Sequence, residues 1–224
     1  MDTKLHHNCL NFHTHQPAST NAVGQVYNWS INQVEIPHRG WFSVGLHPWH
    51  IDFDNAPAQL ETVAQRAQNE RAVAIGECGL DRLVALPLAQ QLPIFEAQIQ
   101  LAEQLKKPVI IHCVRAFDVL VAWKKRTKPT VPLVVHGFNN NLQIAQQLLA
   151  HGFYFSLGTA LLLPKSNASA VIKMLPINRL LLENDDKNSN IETIYEAAAQ
   201  HLMLPIDTLK IEIWRNFGQI TNNR

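Results

Sequence analysis

Short apolar runs in this chain repeatedly lead into residue types that bind metal ions. These residues are His13, His15, Glu77, His112, His136 and Asp185. Continuous runs of Val, Ile and Leu are typical of parallel strands that are covered on both faces. In a parallel barrel, the residues at the carboxyl ends of different strands meet at one opening. The pattern therefore predicts a parallel barrel with one polar site.

His13 and His15 lie two residues apart and directly follow an apolar stretch. Side chains at this spacing on a strand point to the same face, so both imidazoles can reach one ion. The pair alone is equally well explained as two polar residues near a strand end. The other ligand-type residues at strand ends favour metal binding.

Strand and helix patterns alternate along the chain. The predicted strands are residues 9–12, 23–29, 42–45, 73–76, 109–111, 133–135, 153–157 and 180–182. Helical periodicity is seen in residues 56–70, 92–105, 117–125, 142–149, 169–175, 191–201 and 209–217. This alternation predicts an α/β fold, a (β/α)8 TIM barrel forming a single domain over residues 1–224.

The barrel is expected to be trimmed near its first βα unit. Such barrels usually have about 250 residues, and this chain has 224. No convincing helical pattern separates the first two predicted strands, in residues 16–41. One outer helix is therefore expected to be missing there.

The charge and the cysteine content limit the functions and compartments that are expected for this chain. A net charge of +1 gives no global field that favours nucleic acid, and the local cluster Lys124-Lys125-Arg126 is best explained as a solvated helix end. Cys9, Cys78 and Cys113 are predicted to be free thiols of a reducing compartment. No apolar run approaches membrane-spanning length, and the N-terminus lacks a secretory pattern, so a cytoplasmic protein is expected.

Six motifs along the chain together resemble the TatD family of metal-dependent hydrolases, within the amidohydrolase-like barrels. They are His13-Thr14-His15, Gly45-Leu46-His47-Pro48, Gly76-Glu77-Cys78-Gly79-Leu80-Asp81, Pro108-Val109-Ile110-Ile111-His112, His136-Gly137-Phe138 and Leu182-Glu183-Asn184-Asp185. Each motif is weak alone, but their order is specific. The resemblance implies a (β/α)8 barrel that holds one to three divalent cations and, as in several members, deoxyribonuclease activity.

The resemblance also implies roles for individual residues. His13, His15 and Asp185 hold one cation, and Glu77 bridges it to a second cation. His112 and His136 hold that second cation. Glu183 is implied to be a supporting residue rather than a ligand.

Some positions depart from the pattern of the family. Asn11 stands where Asp is common, Asn184 where Thr is common, and Val114 where Arg is common, with Arg115 next to it. The segments 15–47 and 185–191 are shorter than in typical nucleases of the family. The resemblance therefore specifies the metal chemistry better than the substrate.

Several residues have alternative explanations. Glu77 could pair with Arg82 at the surface, although its place after an apolar run favours an inward carboxylate. His112 and His136 could each be a core histidine bonded to a backbone carbonyl. Asp185 and Asp186 are adjacent, so only one of them can face the centre, and the motif favours Asp185.

Candidate substrate contacts are His47, Arg115 and Asn139. His47 could equally well orient an anionic group or stiffen a loop at the rim. Asp81 is expected to orient a neighbouring loop. Trp49 is most simply a packing residue, although it could stack on a base.

The predicted function is that of a deoxyribonuclease that cleaves phosphodiester bonds by metal-activated water. Asp185 and Glu77 are the predicted catalytic residues, and Asp185 orients or deprotonates the attacking water. Two divalent cations are expected, and mixed imidazole and carboxylate ligands suit Zn, Mn or Mg. DNA is the expected substrate. The alternatives are a hydrolase of a small ester, lactone or amide, or a degenerate metal-containing interaction protein.

Overall fold

A computed structural model describes residues 8–16, 24–37 and 40–221. The strands within these ranges are β1 (Asn11–Thr14), β2 (Gln25–Asn28), β3 (Trp41–Val44), β4 (Ala72–Asp81), β5 (Val109–Val114), β6 (Leu133–Val135), β7 (Tyr154–Leu157) and β8 (Leu180–Leu182). The α-helices are α1 (Ala56–Ala67), α2 (Leu88–Leu105), α3 (Phe117–Thr127), α4 (Leu142–Ala150), α5 (Asn167–Val171), α6 (Ile191–Leu202) and α7 (Ile206–Thr221). The first residue of the second predicted strand, Val23, lies outside the described residues.

The eight strands form one parallel sheet in which each strand pairs with the next along the chain. The sheet closes where Thr14 forms a parallel bridge with Asp185. Asp185 N–H donates to the carbonyl of His13 at 3.1 Å, and His15 N–H donates to the carbonyl of Asp185 at 3.1 Å. The predicted (β/α)8 barrel is confirmed.

Each predicted strand overlaps an observed one, but β4 and β5 extend further than the sequence indicates. β4 covers ten residues, so Glu77 lies inside it rather than directly after it, and His112 lies inside β5. The placement of both residues beyond a strand end was therefore wrong. The two strands are longer than predicted because they pair with each other beyond their apolar runs. Gly79 of β4 aligns with His112 of β5, and Asp81 aligns with Val114.

The sequence predicts a trimmed first βα unit, and part of that stretch, residues 17–23 and 38–39, lies outside the described residues. Among the described residues between β1 and β3, no helix is present. A side chain of α1 packs there instead: the guanidinium of Arg66 lies 4.1 Å from the ring centroid of Trp29. Arg66 also donates to the carbonyls of Ser30 at 2.9 Å and Gln33 at 2.8 Å. These contacts hold the segment that follows β2 against the barrel.

The core lies inside the barrel and between the barrel and its helices. Tyr195 of α6 is fully buried, and its hydroxyl donates to the carbonyl of Leu10 at 2.9 Å and accepts from Leu10 N–H at 3.1 Å. Phe217 of α7 packs edge-on against Phe12 of β1, with ring centroids 6.4 Å apart. The last two helices therefore anchor the strand that carries His13.

The three cysteines are unpaired, as predicted. Burial raises the pKa of the Cys9 thiol to about 11 and that of the Cys113 thiol to about 12. In the described ranges, no helix combines the length and apolarity needed to cross a bilayer.

Candidate metal centre

The carboxylate of Glu77 lies at the centre of the barrel opening, and 4 % of the residue is exposed. Its Oε2 atom lies 3.3 Å from Nε2 of His13 and 3.3 Å from Nε2 of His15. Asp185 follows β8 across the barrel seam, and its Oδ1 atom lies 3.6 Å from Nε2 of His13 and 3.4 Å from Nε2 of His15. One side of Glu77 thus faces two imidazoles and a second carboxylate.

The other oxygen of Glu77 faces three more imidazoles. Its Oε1 atom lies 3.0 Å from Nδ1 of His112, 2.8 Å from Nε2 of His136 and 3.1 Å from Nε2 of His47. β5 carries His112, and His136 directly follows β6. The structure therefore brings together all six residues that the sequence indicates as ligands, with Glu77 between two groups of donors.

These residues fit divalent cations. An ion bound at about 2.1 Å by imidazole and carboxylate separates neighbouring donor atoms by roughly 3 Å. The contacts in this centre, from 2.8 to 3.6 Å, lie in that range. His13 is completely buried, and neither of its ring nitrogens makes a hydrogen bond with a described residue. Because a buried polar atom without a partner is costly, a bound ion is the simplest partner for His13.

An outer carboxylate orients His136. Its Nδ1 lies 3.2 Å from Oε1 of Glu183, and the same oxygen accepts Gly137 N–H at 2.7 Å. Burial opposes the charge on Glu183, but the charge of His136 and its hydrogen bond outweigh burial and lower the pKa of Glu183. An ionised carboxylate can only accept, so Nδ1 of His136 carries a proton and Nε2 points to the centre.

His112 is held in the same manner by Asp81. Its Nε2 lies 3.0 Å from Oδ2 of Asp81, and that oxygen also accepts the indole N–H of Trp49 at 2.7 Å. The other oxygen of Asp81 accepts Leu83 N–H at 2.8 Å, so Asp81 also orients its loop, as the sequence predicts. Histidine ligands in metal sites commonly donate their second N–H to such a carboxylate. Sequence reasoning missed this second role of Asp81.

The charged groups of the centre stabilise one another. Burial opposes ionisation of Glu77, yet the charge of His136 and the hydrogen bond from His112 hold the pKa of Glu77 well below its ordinary value. Burial also opposes protonation of His136, but the carboxylates of Glu77 and Glu183 raise its pKa well above the ordinary value. Glu77 is therefore ionised, which is the form that binds cations, and a cation that binds there would displace the protons that His112 and His136 direct to Glu77.

His47 differs from the other imidazoles in its proton arrangement. It follows β3, and its Nδ1 accepts the backbone N–H of Trp49 at 3.1 Å. Burial lowers the pKa of His47, which favours the neutral ring. A neutral imidazole that accepts at Nδ1 carries its proton on Nε2, and a protonated nitrogen cannot bind a metal. His47 thus presents an N–H group to the centre as a hydrogen-bond donor. It is not assigned as a metal ligand, although its Nε2 atom lies as close to Glu77 as the ligand nitrogens do.

The neighbouring carboxylates after β8 point in different directions. Asp185 adopts a left-handed backbone conformation with φ of 55°, and its carboxylate faces His13 and His15. Burial and the charge of Glu183 raise the pKa of Asp185. Asp186 forms an ion pair with Lys187 at 2.9 Å, and Asn190 caps α6. Asp186 therefore does not cap this helix.

A cavity of about 440 Å³ opens above the donors. Its lining residues are His15, Asn28, Ser30, Gly45, His47, Trp49, His50, Glu77, His112, His136, Asp185 and Asp186. Arg115 and Asn139 are not among them: Arg115 is exposed after β5, and Asn139 Oδ1 accepts Ala168 N–H at 3.0 Å. Their substrate-contact roles remain predictions. Arg82 pairs with Asp118 at 3.0 Å rather than with Glu77.

Two buried glutamines of α2 fix the loops around the centre. Gln98 accepts Leu46 N–H at 2.7 Å and donates to the carbonyl of Leu46 at 3.2 Å, directly before His47. Gln91 accepts Asp81 N–H at 2.8 Å and donates to the carbonyl of Asp81 at 2.8 Å. Sequence reasoning missed both residues. The signal was their seven-residue spacing, which places two polar side chains on the apolar face of a helix.

The fold and the donor set together define a class: a (β/α)8 barrel with clustered candidate metal ligands at one opening. The family model described as "TatD related DNase" matches residues 17–220 of the chain. This protein therefore belongs to the TatD family, and the resemblance in its motifs is confirmed.

Known proteins similar to the chain come from both bacteria and humans. It is 33% identical over 150 residues to the "3'-5' ssDNA/RNA exonuclease TatD" of Erwinia billingiae, which covers 65% of this chain and 57% of that protein. It is 32% identical over 151 residues to the human "3'-5' RNA nuclease TATDN2", covering 65% of this chain and 20% of that protein. The matched regions thus span less than two thirds of these relatives.

A solved structure supports the fold. The crystal structure of YjjV, a TatD homologue from Escherichia coli K12, superposes with a TM-score of 0.74 at 24% identity. The superposition covers 88% of this chain and 86% of that one.

Proposed function

We propose that this protein is a metal-dependent nuclease that hydrolyses phosphodiester bonds of DNA. The observation that carries the proposal is the position of Glu77, whose two oxygens face separate groups of imidazole donors. A bridging carboxylate between two donor groups is the arrangement needed for a pair of cations, as in many enzymes that cleave phosphate esters. The nuclease names of the relatives support a nucleic acid as the substrate, and the name of the Erwinia billingiae relative includes single-stranded DNA.

Two divalent cations fit the centre. His13, His15 and Asp185 would hold one of them, His112 and His136 the other, and Glu77 would bridge both. Zn, Mn and Mg are all compatible with this mixture of nitrogen and oxygen ligands. When bound, such cations polarise a phosphoryl oxygen and lower the pKa of water.

The side chains around the centre supply the remaining chemistry. Asp185 is the proton acceptor for the attacking water, because its carboxylate lines the cavity and its pKa is raised by burial and by the charge of Glu183. His47 directs its Nε2 proton to the centre, where it donates to an anionic oxygen of the substrate. Glu183 and Asp81 keep His136 and His112 in the tautomers that leave one nitrogen free.

The test is hydrolysis of single-stranded DNA with Mg, Mn and Zn supplied in turn. We expect Asp185→Asn to reduce the rate by about 10²- to 10⁴-fold, the usual contribution of a positioned acid or base. Asp118→Asn is the matched control, because Asp118 is an exposed carboxylate that pairs with Arg82 and does not belong to the described lining of the cavity. Its rate should stay close to that of the wild type. Full activity of Asp185→Asn would remove Asp185 from the mechanism.

A second candidate is a hydrolase of a small ester, lactone or amide at the same centre. None of the described residues that line the cavity is lysine or arginine. Nucleic-acid grooves are usually positively charged, so this composition favours a smaller substrate. DNA that stays intact under every ion, together with hydrolysis of a small ester or lactone that Asp185→Asn abolishes, would select this candidate.

A further inference from the structure

Trp49 is a large aromatic residue that is exposed beside the metal centre. It lies in the short 3-10 turn Pro48–His50 after β3, and its side chain lines the cavity. The residue is 64% exposed. Most tryptophan side chains bury their apolar surface, so an exposed indole at a cavity suggests contact with a ligand.

The ring is held rigidly by its polar edge. The indole N–H donates to Asp81 Oδ2 at 2.7 Å, and the ring meets that of His47 edge-on with centroids 5.1 Å apart. The ring centroid of His112 is 6.0 Å away. The hydrogen bond and these contacts fix the orientation of the indole while most of its surface stays exposed. A rigid aromatic surface binds with little loss of conformational entropy.

The residues that line the cavity offer few other groups that could bind a nucleic-acid strand. The lining residues that the structure describes supply histidines, carboxylates and short polar groups but no lysine or arginine. Protein cations therefore contribute little to the binding of a phosphate chain at this place. Stacking on an aromatic ring contributes about 1–3 kcal/mol per base and tolerates any sequence, because every base has a π face.

We propose that Trp49 is a stacking platform for the nucleobase adjacent to the scissile phosphate, and that it makes the enzyme selective for unpaired ends. This inference rests on the proposed nuclease function. A base inside a duplex is stacked on both faces, whereas an unpaired terminal base offers a free face. A base on Trp49 would lie next to His47 and His112, which both contact Glu77, so the adjacent phosphate would lie close to the candidate metal centre.

The test uses single-stranded oligonucleotides that are intact or carry one abasic residue at each of the three terminal positions of either end. Equilibrium binding is measured in EDTA by fluorescence anisotropy, where hydrolysis stops, and kcat/KM is measured with the active ion. The wild type should prefer the intact strand over one abasic position by roughly 5- to 150-fold, which corresponds to the stacking of one base.

Three variants separate the role of the aromatic face of Trp49 from the role of its hydrogen bond to Asp81. Trp49→Ala should bind and cleave the intact strand more weakly by this same factor, roughly 5- to 150-fold, and should show no preference between intact and abasic strands. Trp49→Phe loses the hydrogen bond to Asp81 but keeps an aromatic face, so it should still discriminate. Phe53→Ala is the matched control, because Phe53 is 49% exposed and is not one of the cavity-lining residues that the structure describes.

Two results would overturn the inference while leaving the nuclease intact. One is equal cleavage of intact and abasic strands by the wild type. The other is discrimination by Trp49→Ala that matches the wild type. If no strand is bound or cleaved under any ion, the proposed nuclease function fails, and the role of Trp49 fails with it.

Discussion

Asn11 and Asn184 form a reciprocal amide pair across the seam of the barrel. The side-chain amide of Asn11 donates to Asn184 Oδ1 at 2.8 Å, and the backbone N–H of Asn184 donates to Asn11 Oδ1 at 3.1 Å. The resemblance in the sequence motifs implies Asp and Thr at these two positions. The two side chains present here are complementary, and together they tie β1 to the residue that precedes Asp185.

Removal of this pair should destabilise the seam. We expect Asn11→Ala to lower the free energy of unfolding by about 1–3 kcal/mol, because the buried N–H of Asn184 loses its acceptor. Urea denaturation measures the change. Asn55→Ala is the control, since Asn55 precedes α1 without a side-chain capping bond, and it should change stability by less than about 0.5 kcal/mol. Equal stability of Asn11→Ala and the wild type would contradict this account.

The outer carboxylate Glu183 should control metal affinity. Glu183→Gln keeps the volume but removes the charge that orients His136, so we expect about a 10- to 100-fold loss of affinity for zinc. Competition with a chromophoric chelator measures it. Glu70→Gln is the matched substitution at an exposed position after α1. Unchanged affinity in Glu183→Gln would show that His136 needs no support from this carboxylate.

Metal binding should stabilise the fold independently of catalysis. A divalent ion at about 100 times its Kd adds about 2.7 kcal/mol, which corresponds to roughly 5–10 °C in Tm for a chain of this length. Thermal denaturation with zinc and with EDTA measures the shift. His15→Ala should reduce the shift, whereas His151→Ala, after α4, should keep it. A Tm that is the same with zinc and with EDTA would argue against the centre.

Tyr195 should matter for stability and not for the reaction. Tyr195→Phe removes the hydroxyl that bonds both backbone groups of buried Leu10, so a loss of about 1–3 kcal/mol is expected. The comparison is Tyr154→Phe, where the hydroxyl has no hydrogen bond within the described chain and little change should follow. Chemical denaturation compares the two variants. A larger loss in Tyr154→Phe would reverse the assignment.

Local sequence patterns determined the architecture and the chemical character of the site. The apolar runs predicted every strand of the barrel, because burial on both faces demands continuous Val, Ile and Leu. The donor residues followed from those runs and from six ordered motifs. The absence of a helix in residues 16–41 stays a prediction, based on the lack of a period of 3.6 residues, and the described residues of that stretch contain none.

Long-range contacts decided what these residues do. Glu77 lies between two groups of donors because the barrel brings together strands that are distant in the sequence. Pairing with β5 also extends β4 beyond its apolar run. The proton positions of His47 and His112 depend on Trp49 and Asp81, which local periodicity cannot connect to them. Strand propensity depends on residues that are neighbours in the sequence. The hydrogen-bond partners of these side chains depend on which strands the closed barrel brings together. For this reason the sequence alone predicted the ligands, and the tertiary structure decided their orientation.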